Sequence, residues 1–114
     1  MSTTRRFASV AAVLGLLCSS VSPAAAADAP KPVTHTVTID GTSFQPMAIT
    51  VNAGDTIVWL NKDPFPHTVT AETGGFDSGA ILPGKSWRYK PTKKGKFAYT
   101  CTYHPTMKAT LRVK

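Results

Sequence analysis

An all-β sandwich of about seven to eight short strands is the fold that this sequence predicts, and three observations carry the prediction. From residue 33 onward, apolar and polar residues alternate over short runs. Clusters of Gly, Pro and Asn separate those runs at close intervals. No stretch in that region joins a helical repeat to helix caps. The runs are rich in β-branched and aromatic residues, which suit a pleated, half-buried surface. Two packed sheets forming a small sandwich or flattened barrel follow from that pattern.

In order, "VTHTVTID" alternates with Val33, His35, Val37 and Ile39 on one face, and "GTSFQPM" reads as a turn before the strand "AITV". "NAGD" makes a tight connection into "TIVWL", and "HTVTA" reads as the next strand. After the glycines of "TGGFDSG", the Pro-Gly turn in "LPG" leads into "SWRYK". "KGKFAYTC" points Phe97, Tyr99 and Cys101 inward, and "MKATLRVK" sets Met107, Ala109, Leu111 and Val113 on one side.

The residues before this domain have a different logic. Arg5 and Arg6 precede an apolar stretch from Phe7 to Val21, and "AAAAD" offers small residues for cleavage. That is the layout of a secretory signal peptide over residues 1–27, cut near Ala26 or Ala27. Ser9, Gly15, Ser19 and Ser20 interrupt the apolar run, which is short for a bilayer that needs about 20 apolar residues. "TRRFAS" is a poor twin-arginine signal, so the general export route fits better; the bulky Leu17 argues against lipid attachment at Cys18. Residues 28–32 then form a short tail, residues 33–114 form one domain, and the expected location is the periplasm.

The formal charge of the chain is +7. Without the two leader arginines it carries 11 basic against 6 acidic residues, or +5. Several lysines cluster in "KPTKKGK", residues 90–96, as either a solvated hairpin end or a docking surface for an acidic partner. Nucleic acid is not an expected partner of an exported chain. Once Cys18 leaves with the leader, Cys101 stands alone in an oxidising compartment, where a protected thiolate explains an unpaired cysteine.

Cys101 closes an inward-alternating strand in "YTCTYHPTM", with His104 three residues on and Met107 three further. A loop over 102–106, pinned at both ends by strands, can aim thiolate, imidazole and thioether at one point. A second imidazole would complete the set. His67, bracketed by Pro64 and Pro66 at a strand start, is better placed than His35 in the middle of the first strand. Zinc gains little from methionine, and magnesium and calcium want oxygen donors. Two histidines and a cysteine with a weak axial methionine are the donors of a blue-copper electron-transfer site. Copper, one ion per chain, is therefore the expected cofactor.

With these residues in view, the chain resembles the cupredoxins, most of all the amicyanin and plastocyanin types, which implies a small Greek-key β-sandwich. The resemblance runs over almost all of 33–114, through "VTVNAGDTIVWLNKD", "FPHTV" and "YTCTYHPTM". It implies that His67, Cys101, His104 and Met107 bind copper, and the C-x-x-H-x-x-M spacing is the short loop of amicyanin. Amicyanin has Pro where this chain has Tyr103 and Asn where it has Thr68. The resemblance implies that Thr68 braces the ligand loop through its backbone N–H toward the Cys101 sulfur.

The expected function is single-electron shuttling between redox proteins, with a dehydrogenase or a c-type cytochrome as partner classes and the chain a monomer. His104 is the exit route, ringed by apolar Pro64, Phe65, Pro66 and Pro105, with Leu82 and Pro83 nearby. The alternative is a copper-trafficking or storage protein, which would use the same donors in an exchangeable site. No catalytic residue is assigned: Cys101 and His104 share one short segment, whereas nucleophile–base pairs come from separate ones.

Overall fold

The computed structural model describes residues 30–114 together with 11, 12, 15–17 and 19. The leader, its cleavage point and Cys18 lie outside the described residues, apart from those few positions. Eight strands make up the domain: β1 (Thr34–Asp40), β2 (Ser43–Gln45), β3 (Ala48–Val51), β4 (Thr56–Asn61), β5 (Thr70–Ala71), β6 (Ser86–Tyr89), β7 (Gly95–Cys101) and β8 (His104–Val113). They form two four-stranded sheets, ordered β2-β1-β4-β6 and β3-β8-β7-β5. The first strand of each half pairs in parallel with a later one, β1 with β4 and β3 with β8, while the other neighbours run antiparallel.

The predicted alternation holds where the sheets face one another. Val37 and Ile39 of β1, Ile57 and Trp59 of β4, and Tyr99 and Cys101 of β7 are buried, with Met107, Ala109, Leu111 and Val113 of β8. Aromatic rings fill the middle: Phe44, Trp59 and Phe76 all pack on Tyr99, at centroid distances of 4.8, 5.8 and 6.1 Å. The Trp59 indole N–H donates to the Tyr99 hydroxyl at 3.3 Å, so neither buried polar group is left without a partner.

Four details differ from the sequence expectation. "GTSFQPM" contains a strand, β2, whose apolar signal is the single buried Phe44. Val33 is exposed, because the first strand starts one residue later, at Thr34. The strand expected over "HTVTA" shrinks to Thr70–Ala71, and His67 is held instead by an isolated bridge to Ile81. Finally, β8 begins at His104 rather than Met107, so the expected open loop is a bulged hairpin: Cys101 pairs with His104, and Thr100 with Lys108. Pro105, Thr106 and Met107 are extra residues on one strand, which bends it as a bulge does.

Candidate metal centre

Two segments meet at one end of the sandwich. The first leaves β4 at Asn61 and runs through "KDPFP" to His67; the second is the turn between β7 and β8. Asn61 organises the first. Its side-chain amide donates to the carbonyls of Phe65 (2.7 Å) and Ile81 (2.9 Å), and its oxygen accepts from the Asp63 N–H at 3.0 Å. The backbones of His67 and Ile81 bond to each other in both directions, at 3.1 and 2.7 Å. His67 is therefore fixed although it lies outside any regular strand.

The donor atoms of His67, Cys101 and His104 all lie within 4.8 Å of one another. The Cys101 sulfur is 3.7 Å from His67 Nδ1 and 3.8 Å from His104 Nδ1. An ion about 2.3 Å from a thiolate and about 2.0 Å from each imidazole, at trigonal angles of about 120°, holds sulfur and nitrogen about 3.7 Å apart. Both sulfur–nitrogen distances thus fit a trigonal ion held by two histidines and one thiolate. His67 and Cys101 are fully buried and His104 is partly exposed.

The surroundings add direction. The Thr68 backbone N–H donates to the Cys101 sulfur at 3.3 Å. The Thr68 hydroxyl accepts the Thr102 N–H at 2.8 Å and meets the Thr70 and Thr102 hydroxyls at 3.0 and 3.1 Å. This threonine therefore ties the His67 segment to the hairpin turn by both backbone and side chain. Met107 is buried, facing inward from β8 three residues after His104.

Sequence reasoning passed over Asp63. Its carboxylate lies 2.7 Å from His67 Nε2 and accepts the N–H groups of Gly41 and Thr42 at 2.7 and 2.8 Å. Burial pushes the Asp63 carboxyl up, but the Thr42 and Gly41 amides and His67 outweigh it, leaving the group below its ordinary value. The signal was present in the D-x-x-x-H spacing of "DPFPH". The prolines between hid it, since no regular element relates the two ends.

His35, set aside from the sequence, is indeed elsewhere: its ring bonds Asp55 at 2.9 Å, at the opposite end of β4 from Asn61. Pro64, Phe65, Pro66 and Pro105 are exposed, as are Leu82, Pro83 and Tyr103. The "KPTKKGK" lysines sit near the start of β7, with Cys101 at its other end, a separation of roughly 20 Å for a strand of this length. There Lys94 and Lys96 line a groove with Arg112 and Lys114.

A chain with this sandwich and this donor set is of the blue-copper class, and comparison with known proteins agrees. The cupredoxin-like domain model matches residues 9–113, and the chain belongs to that family of copper-binding electron-transfer proteins. Plastocyanin of Scenedesmus fuscus is 31% identical over 84 residues, covering 62% of this chain and 86% of the relative. Amicyanin of Paracoccus versutus is 28% identical over 101 residues, covering 84% and 76%. Among solved structures, an amicyanin variant in its Cu(I) form superposes with a TM-score of 0.67 at 24% identity, over 78% of this chain and 89% of that one. That likeness is one of fold. The copper-containing nitrite reductase of Thermus scotoductus gives a TM-score of 0.68 at 29% identity over 75% of this chain, which spans only 23% of the enzyme's length. No helix among the described residues is long and apolar enough to cross a membrane.

Proposed function

We propose that the protein is a single-electron carrier with one type 1 copper, which His67, Cys101 and His104 would hold, with Met107 as a weaker thioether donor. The observation that carries this reading is the His67–Cys101–His104 group, whose donors lie within 4.8 Å at one end of a cupredoxin sandwich. Copper, when bound, supplies a Cu(II)/Cu(I) couple one electron apart. The protein's part is to keep the donors still, so that little reorganisation accompanies each transfer. Strand pairing, the Asn61 amide and the Thr68 hydroxyl do this from both sides of the site.

The partly exposed His104 is the ligand through which an electron would pass. Exposed Pro64, Phe65, Pro66 and Pro105 would form the apolar docking face with Leu82, and to these we add Tyr103. Such a face suits brief encounters with a redox protein, a dehydrogenase or a c-type cytochrome. Export of residues 28–114 to the periplasm, with residues 1–27 removed, and a monomeric state complete the reading. Burial of His67 and Cys101 disfavours the trafficking alternative, which needs an ion that exchanges readily.

The test is the visible spectrum of the copper-loaded chain beside Cys101→Ser. An intense charge-transfer band, bleached by ascorbate and absent from the variant, is expected. Weak bands, with copper lost rapidly to a chelator, would sink the carrier reading in favour of trafficking.

A further inference from the structure

Asp63 occupies an unusual place for a residue with no role in catalysis or docking. It is nearly buried, yet its carboxylate meets three donors, two from a turn 22 and 21 residues away in sequence and one from its own loop. Two are the amides of Gly41 and Thr42, the two-residue connection between β1 and β2. Both residues have positive φ, 59° and 54°, and Thr42 is the only non-glycine residue in that region among those described. A β-branched residue is disfavoured there, so the turn depends on the carboxylate that collects its N–H groups. The third donor is the His67 ring.

We propose that Asp63 is the positioning residue of the metal centre: it sets the tautomer of His67 and makes that ring a stronger donor to the oxidised ion. The proposal rests on the copper reading of the site. A carboxylate can only accept, so at 2.7 Å the His67 Nε2 carries the proton. Nδ1 is then left with its lone pair, and it is this atom that faces the Cys101 sulfur at 3.7 Å. The other tautomer would point a proton at the ion and a lone pair at the carboxylate. An anionic acceptor also places negative charge behind the ring, which favours the more highly charged state of a bound metal. The same carboxylate is held by the turn amides, so the turn between β1 and β2 and the metal centre share one anchor.

Asparagine separates these roles. With its oxygen toward His67 and Thr42, it keeps the tautomer but removes the charge and turns an NH2 toward the Gly41 amide. Copper-loaded Asp63→Asn should retain the charge-transfer band. Its affinity for the oxidised ion relative to the reduced one should fall on the order of tenfold, a rise in potential of about 59 mV for one electron. Asp55→Asn, the same charge change at the far end of β4, is the control and should shift the potential far less. Equal shifts in the two variants, or none in Asp63→Asn, would overturn the proposal. A second readout needs no copper: in the metal-free, 15N-labelled wild-type chain, His67 should show a protected Nε2–H. An Nδ1–H tautomer there would overturn the proposal even where Asp63→Asn fails to fold. A wild-type chain that binds no copper would overturn the functional reading itself, before any variant is compared.

Discussion

Asn61 occupies a position that strand alternation assigns to an apolar residue, and all three of its side-chain hydrogen bonds go to loop backbone. Truncation to Ala would leave the Phe65 and Ile81 carbonyls and the Asp63 amide without that partner. We expect Asn61→Ala to cost about 2–4 kcal/mol, since each buried polar group left unpaired costs about 1–3 kcal/mol and the terms do not add fully. Chemical denaturation would measure the loss. Asp55 acts at the other end of β4. The Val33 amide, the His35 ring and the Asn52 amide bond its carboxylate and outweigh the opposing effect of burial, lowering its pKa from 3.8 to about 2. A carboxyl depressed in the folded state contributes stability that is complete above its unfolded value and lost as pH falls toward its folded value. The stability of the wild-type chain should therefore decline between about pH 4 and pH 2, and Asp55→Asn should show a shallower decline over that window in pH-dependent unfolding.

At the scale of elements, the β7–β8 hairpin determines where two of the donors sit. Cys101 and His104 face each other across a two-residue turn, and the bulge that follows returns the strand to register by Lys108. The turn is held from outside by Thr68, whose hydroxyl accepts the Thr102 amide at 2.8 Å. Thr68→Ala would leave that amide to solvent and loosen the hairpin from the His67 segment. A stability loss of about 1 kcal/mol is expected, with faster release of copper to a chelator. Thr68→Ser keeps the hydroxyl and should restore most of both. Release equally fast from Ala and Ser, and faster than from wild type, would show that the methyl group, not the hydroxyl, holds the turn.

For the whole molecule, the sandwich separates two surfaces along the length of its strands. The apolar residues Phe65, Leu82 and Tyr103 are exposed, the first at the site end with His67 and the last beside His104. The lysines of residues 93–96 lie toward the other end of β7. If His104 is the electron route, as proposed, a partner would approach the site end, and charge at the far end would matter only through the general field. With a protein redox partner at matched ionic strength, Phe65→Glu should slow electron exchange tenfold or more without changing the copper colour. Lys96→Glu should change it by less than about twofold, since charges beyond a Debye length of roughly 8 Å are largely screened. A stronger effect of Lys96→Glu would relocate the docking face to the basic groove.

The sequence by itself determined the sandwich and most of its inward-facing residues. Alternation is a local property: once Tyr99 is buried, Cys101 is on the same face, whatever the rest of the chain does. It also placed Cys101, His104 and Met107 in one short segment and singled out His67 over His35. Tertiary structure decided what local pattern cannot carry. Phe44 alone could not announce β2, and the pairing that extends β8 back to His104 depends on where β7 lies. The partnership of Asp63 with Gly41 and Thr42 depends on a loop after β4 meeting the turn after β1. Those contacts join groups brought together only by the folded sheets. Hydrogen-bond partners across such distances leave no period in the sequence, which is why the donors were legible and the carboxylate that orients one of them was not.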